Sequence, residues 1–600
     1  MVLSACAGDA GLGQGGCTGQ CTTSSDFLAT SDVERILAQG VLEAEARGAR
    51  ATLAVVDRAG NVLGVFQMPG ADPEFDLRSG RGAQGGLEEV RLPSTLAAIA
   101  KALTAAFLSS EGNAFSTRTA SQIVQENFNP REISQPSGPL YGVQFSQLSC
   151  SDVMNSNASL GPRPSPLGLA GDPGGLPLYK EGRLVGGVGV ISDSLYSIDL
   201  DITDVDSDQD ELIAVGAASS FMAPADRRAD RITADGRTFR FTDGEVRAST
   251  VAGVPALRDL QGTVPLVAGF FDGGIRSGVA FGTPESGFRP DTAAFLGEAA
   301  QILVDVRNQN RYEPRPGSDG FLSVSEVTSI VRNGLRVAGR ARAQIRRPLG
   351  SAAEVTVTVV DTRGTILALA RTKDAPVFGT DVAVQKARTA AFFSRPQSAS
   401  DLLSIPATQY GATGQTSSPG AYVLAMRAFL GDPAAFANGI AHTTRSLGNL
   451  HRPLFPDGVS RTSNGPLSTP YSNWSPFHVG LQSDLVNSAL LGQAQGVGCS
   501  FLPEIFNGIQ IFPGSVPIYR GSQLVGAVGV SGDGVDQDDM IAFLGLENAG
   551  RELMTGIGHA PKDRRADSIE PRGLGSRLRY VQCPQAPFND STEQNVCAGL

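Results

Sequence analysis

Five short blocks occur twice, in the same order, along this chain of 600 residues. An ordered repeat of that kind settles the architecture before any local pattern is read. Val55-Val-Asp57-Arg-Ala-Gly60 returns as Val359-Val-Asp361-Thr-Arg-Gly364, and Lys101-Ala-Leu-Thr-Ala-Ala-Phe107 returns as Lys386-Ala-Arg-Thr-Ala-Ala-Phe392. Leu184-Val-Gly-Gly-Val-Gly-Val190 returns as Leu524-Val-Gly-Ala-Val-Gly-Val530, and Asp208-Gln-Asp210 as Asp536-Gln-Asp538. Last, Pro224-Ala-Asp-Arg-Arg-Ala-Asp230 matches Pro561-Lys-Asp-Arg-Arg-Ala-Asp567. The chain reads as a duplication over 26–243 and 319–600, with a tail at 1–25 and a linking segment at 244–318.

The spacings locate the insertions. Asp57 to Lys101 is 44 residues but Asp361 to Lys386 is 25, so the first copy carries an extra Gly/Arg-rich loop near 72–89. Lys101 to Leu184 is 83 residues and Lys386 to Leu524 is 138, which places a large insertion at about 397–513 of the second copy. Loops this long inside a compact domain usually carry function or meet a neighbour. Each copy opens with an apolar stripe of helical period, Ile36, Leu37 and Val41 in one and Ile330, Val331 and Leu335 in the other. Ser31-x-x-Glu34 and Ser323-x-x-Glu326 predict capping boxes. Then come β-branched runs at Thr52–Val56 and Val355–Val360, a turn with Asp and Gly, and a second strand. An Ala-rich helix, a Gly-bounded hairpin and a last helix follow. The order predicts an α+β fold, with an antiparallel sheet and helices packed on one side of it in each copy.

Val-Val-Asp-x-x-Gly, Lys-Ala-x-Thr-Ala-Ala-Phe and Pro517-Ile-Tyr-x-Gly-x-x-Leu-Val-Gly-Ala-Val-Gly-Val530, running on to Ser531, Gly532, Gln537 and Asp538, together resemble the GlcG/HbpS family of small haem-binding-type domains. The resemblance covers most of both copies. It implies two tandem α+β domains and, as ligands, haem or a related small anion. It also implies a third function class, an enzyme acting on small 2-hydroxy acids. The Asp that this family places five residues before the lysine is Asp381 in the second copy, whereas the first has Leu96. A charge-dependent site is therefore expected in the second copy.

Net charge is −11, the wrong sign for gripping nucleic acid or an anionic membrane. No apolar run of transmembrane length occurs. The opening Leu-Ser-Ala-Cys6 resembles a lipoprotein cleavage site, giving a lipid anchor at Cys6 and an outer-membrane, periplasmic or secreted location. Only five residues precede that cysteine, fewer than a signal's apolar stretch needs, so either the start lies upstream of Met1 or the match is chance. Six further cysteines suit an oxidising compartment, with Cys583–Cys597 and Cys17–Cys21 the favoured pairs.

Lys101 and Lys386 are the most informative polar residues, because two of only five lysines take equivalent places in an apolar helix. Two readings stay open for them, an anchor for an anionic ligand or a structural contact to an Asp or a helix end. Asp201, Asp204, Asp206 and Asp208 stand in a dense acidic run whose alternating oxygens suit Ca²⁺, or which is simply a solvated loop. Aligning Pro139-Leu-Tyr141 with Pro476-Phe-His478 sets Tyr141 opposite His478, two competent axial ligands for haem iron. His442 and His451 are further candidates in the same insertion. No Ser-His-Asp arrangement is available, since the first copy contains no histidine. The combined expectation is an extracytoplasmic, non-catalytic binder of haem or a small anion. The alternative is a structural protein whose insertions dock a partner such as a multihaem cytochrome.

Overall fold

The computed structural model describes residues 26–128, 136–154, 160–234, 236–247, 253–409, 414, 416–452, 454–456, 465–466, 474–478, 480–490 and 497–600. The expected lipid anchor at Cys6 and the expected Cys17–Cys21 pair lie outside these residues.

The first copy runs α1 (Thr30–Ala46), β1 (Thr52–Asp57), β2 (Val62–Gln67), α2 (Ser94–Leu108), α3 (Thr117–Val124), β3 (Gly175–Lys180), β4 (Arg183–Ile191) and α4 (Gln209–Ala218). Its strands stand in the order β2-β1-β4-β3, each antiparallel to its neighbour. The linking segment supplies β5 (Phe288–Pro290) and β6 (Gln301–Leu303). The second copy then runs α5 (Val324–Arg340), β7 (Val355–Val360), β8 (Ile366–Arg371), α6 (Gly379–Phe393), α7 (Thr444–His451), β9 (Ser515–Arg520), β10 (Gln523–Gly532), α8 (Val535–Leu553) and β11 (Ile557–Gly558). Its sheet is ordered β5-β6-β8-β7-β10-β9-β11, so the central four strands repeat the first copy's order and the linking segment lengthens one edge. Even the irregularities recur. The ladder slips between Val55 and Val56 and between Val359 and Val360, and again between Leu178 and Tyr179 and between Ile518 and Tyr519. A bulge adds twist at a fixed point, so matched bulges mark one backbone used twice.

Helices cover both faces of each sheet, not one as the element order alone implies. A Cβ on Gly64 would meet Val33 and Leu37 of α1, whereas a Cβ on Gly189 would lie 2.1 Å from the Ala98 carbonyl of α2. Gly64 pairs with Val55 and Gly189 with Ala54, neighbours along β1 whose side chains point to opposite faces. Gly529 repeats the close approach against Ala383 of α6, so any side chain there would lift the helix from its strand. Both faces being covered explains why β1 and β7 are buried at every residue. The helix stripes Ile36, Leu37 and Val41, and Ile330, Val331 and Leu335, are all buried. Each contributes on the order of 1.5–3 kcal/mol.

The turn chemistry follows the sequence. Asp57 accepts from the backbone N–H of Ala59 and Asn61, and Asp361 from those of Arg363 and Thr365. Ser323 and Glu326 form the expected capping box on α5. Ser31 does not cap α1. That helix starts at Thr30, because Asp32 accepts from the Ala29 N–H and pairs with Lys180, anchoring an earlier first turn.

Two disulfides are present among the described residues. Cys583–Cys597 is the expected short loop, while Cys150–Cys499 joins the stretch between α3 and β3 of the first copy to the second copy's insertion. No helix among the described residues is long and apolar enough to cross a membrane.

Candidate functional site

The two signature lysines occupy the same position and are both fully buried. Lys101 leaves α2 and reaches Asp172 and Asp210, each at 2.5 Å. Lys386 leaves α6 and reaches Asp538 at 2.9 Å and the Val530 carbonyl at 2.9 Å, with its ammonium 4.6 Å from the Phe512 ring centre. Asp210 and Asp538 lie in the first turns of α4 and α8, so in each copy the pair ties a helix on one face of the sheet to a helix on the other. Burial pushes the Asp538 carboxyl up to about 6 and Lys386 below its usual value, so both partners lean toward their neutral forms. In the first copy burial raises both carboxyls, Asp172 to about 7, while the paired negative charges hold Lys101 well above its usual value. The two negative charges favour the charged ammonium there, while burial shifts both carboxyls toward the protonated form. Both lysines are thus engaged in internal pairs.

A second repeated pair adjoins the first. Arg118 of α3 bonds Glu211 at 2.8 Å, and Arg445 of α7 bonds Asp539 at 2.5 Å; each acid directly follows the lysine's partner. Thr117 and Thr444 precede these arginines, and Ser116 and Thr443 cap their helices. Arg118 lies 17 residues beyond Lys101 and Arg445 lies 59 beyond Lys386, so the insertion hides the correspondence from a reading by spacing.

The acidic run wraps Arg118. Its guanidinium reaches Asp199 at 2.8 Å and Asp206 at 2.9 Å, with Asp243 at 3.3 Å. Of the four expected ligands, Asp204 and Asp206 gather with Asp199, their oxygens within 4.8 Å of one another. Asp208 instead caps α4 through the Glu211 N–H, and Asp201 accepts from Thr203. The countercharge at this cluster is a guanidinium of the chain itself.

Asp381 is buried and takes hydrogen bonds from Ser151 Oγ at 2.6 Å, the Gln147 N–H at 2.8 Å and Asn507 Nδ2 at 2.9 Å. Its carboxylate fastens the loop around 147–151 of the first copy onto α6 of the second. Tyr141 and His478 fall where the second copy's insertion meets the first copy. Trp474 Nε1 donates to the Tyr141 hydroxyl at 3.3 Å, and burial pushes that phenol well above its usual value. His478 Nδ1 lies 2.9 Å from Ser483 Oγ, and its side chain packs beside Gly86. Its ring is half-buried, and burial lowers its pKa, keeping the imidazole neutral. The other three histidines lie in aromatic contacts: His442 against Phe436, His451 on Tyr422 and His559 on Phe543 at 3.8 Å.

A twice-used antiparallel sheet, covered on both faces and stitched by a buried lysine–aspartate pair, defines the class of α+β domain. Residues 334–436 and 480–547 match the family model described as haem degrading protein HbpS-like. Both segments fall in the second copy, and the gap between them falls inside the large insertion. The second copy is thus similar to the HbpS-like family, and the first copy repeats its strand order. Among solved structures, the Klebsiella pneumoniae protein ORFY is 20% identical, covering 34% of this chain and 96% of its own at a TM-score of 0.20. A double mutant of HbpS from Streptomyces reticuli is 20% identical over 36% of this chain and 97% of its own, at 0.19. A PduOC:haem complex is 18% identical over 32% and 91%, at 0.18. Scores this low carry no weight for function. No curated protein matches the chain.

Proposed function

We propose that the protein is an extracytoplasmic, non-catalytic binder of haem, or of a related small anion, built as a fused pair of GlcG/HbpS-like domains. The observation that carries the reading is the condition of the ionisable groups. Lys101, Lys386, Asp381, Arg118 and Arg445 are all engaged in internal pairs, so the repeated polar residues support the fold and provide no convergent acid–base pair. The cross-copy disulfide Cys150–Cys499 supports an oxidising compartment. The likeness of the second copy to the haem degrading HbpS-like family supports haem.

Of the expected haem ligands, His478 fits the chemistry and Tyr141 does not. A neutral, half-buried imidazole oriented at Nδ1 by Ser483 has the chemistry of a haem ligand, as metal-bound histidines are usually oriented by a partner at one ring nitrogen. A buried phenol pushed upward resists becoming the tyrosinate that iron needs. Phe477 and Tyr196, whose ring centres lie 6.0 Å apart, supply apolar surface beside the histidine. Haem bound there would supply a redox-active iron, while the chain orients His478 and shields its setting. Adding hemin to the purified full chain and recording the absorption spectrum tests the reading. A saturable Soret shift is expected, whereas a spectrum equal to free hemin would favour the docking protein.

A further inference from the structure

The two copies enclose a polar cleft with a cavity of about 600 Å³, separate from His478, and none of the four histidines lines it. Its wall takes Arg58, Arg183 and Arg227 from the first copy and Arg346, Arg347 and Lys373 from the second. Four acids face them, Asp26, Glu111, Glu354 and Asp374, and the buried Asp533 pairs with Arg346 at 2.6 Å, leaving an excess of one positive charge in a chain of net charge −11. Asp374 is the hub. It pairs with Arg58 at 2.6 Å and with Arg346 at 2.5 Å, and it accepts from the Glu111 N–H. Against its burial the two arginines hold its carboxyl down to about 2, so it stays charged and offsets one of the two positive charges.

Two buried polar atoms of the lining have no partner. Arg58 Nε lacks an acceptor although Arg58 is only 4% exposed, and Gln301 Oε1 lacks a donor although Gln301 is only 6% exposed. Orphaned buried polar atoms are costly, and two of opposite kind in one cleft suit a ligand with both an acceptor and a donor. Behind the wall the imbalance deepens. Arg371 is opposite Gln301 in the β6–β8 ladder and is fully buried, its Nη1 has no partner, and no carboxylate lies within ion-pair distance among the described residues. Its guanidinium sits 4.6 Å from the Phe288 ring centre and 5.7 Å from that of Phe281, while Arg58 covers Phe281 at 4.1 Å. A buried charge of this kind calls for a counter-ion.

We infer that the cleft between the copies binds a small oxyanion-bearing molecule, a carboxylate or phosphate that also carries a hydrogen-bond donor, with Arg58 and Lys373 meeting the anion and Gln301 Oε1 taking the donor. The inference goes beyond the haem reading and does not depend on it. The experiment uses the full chain, with inorganic phosphate and citrate as separate probes, each compared by calorimetry and thermal melting with sodium chloride at matched ionic strength. Saturable binding of at least one probe is expected. Lys373→Ala, at an exposed side chain, should leave the unliganded melt in place and weaken that binding several-fold. Gln301→Glu should raise the unliganded melting temperature by giving Arg58 and Arg371 an internal counter-ion, and should abolish the probe-induced shift. The stronger probe assigns the anion as carboxylate or phosphate. No saturable heat with either probe, or shifts equal to those from chloride, would overturn the site. So would unchanged binding in Gln301→Glu.

Discussion

The first copy sets its buried lysine between two carboxylates, whereas the second sets it between one carboxylate, a carbonyl and a phenyl ring. The backbone around the two is the same. Asp172-Pro-Gly174 and Phe512-Pro-Gly514 precede matching strands, and the one side chain that differs decides the charge of the cluster. The first triad carries an extra acid that burial neutralises in part, and the second is balanced and half apolar. A buried ammonium therefore persists through a change in its partners provided one carboxylate is kept, and this marks Lys101 and Lys386 as parts of the frame.

The largest expected effect comes from removing the lysines. Lys101→Met leaves Asp172 and Asp210 facing one another without a cation and should cost about 3–5 kcal/mol of stability. Lys386→Met leaves Asp538 alone, free to take a proton, and should cost less, roughly 1–3 kcal/mol. Denaturant melts of both variants check the ordering, and equal losses would break the comparison.

Replacing Cys150 and Cys499 together by serine should cost about 2–4 kcal/mol, because the bridge closes a loop of 349 residues in the unfolded chain. The double variant should keep the same fold by circular dichroism, since two hydrophobic cores that each draw on both copies hold the copies together without it.

The pH dependence sharpens the contrast. A carboxyl whose folded value is raised binds its proton more tightly in the folded state, so its contribution falls as pH rises from the unfolded value through the folded one. For Asp172 that window runs from 3.8 to about 7, and for Asp538 from 3.8 to about 6. Asp172→Asn should flatten the stability loss between these limits by on the order of 2 kcal/mol, read from denaturant melts at the two ends. If the slope is unchanged, the extra acid is not protonated in the fold.

The smallest effect is expected at the acidic run. Since Arg118 already supplies the countercharge, removing divalent ions with a chelator should leave the melting temperature unchanged. A lowered melt would restore Asp204 and Asp206 as cation ligands.

Much of this was legible in the residues. The repeat, the strand pairs and the Cys583–Cys597 loop all rest on short-range patterns that survive in sequence. The covering of both sheet faces was not legible, because element order does not say on which side a helix crosses. The Arg118–Arg445 correspondence was hidden by unequal insertions, and the Cys150–Cys499 bridge depends on how the second copy's insertion meets the first copy. The cleft escaped notice for a related reason. Arg58 stands 243 residues before Gln301 and Lys373 another 72 beyond it, and each reads by itself as an ordinary turn or strand residue.

In the reading proposed above, the repeated lysines build the domains and haem is recognised at His478. Hemin titration followed by absorption, on wild type, Lys386→Met and His478→Ala chains each shown folded by its melt, tests it most directly. The account predicts the same Soret maximum and affinity for wild type and Lys386→Met, with the band shifted and affinity weakened at least tenfold in His478→Ala. Loss of the band in Lys386→Met, with His478→Ala behaving as wild type, would contradict it.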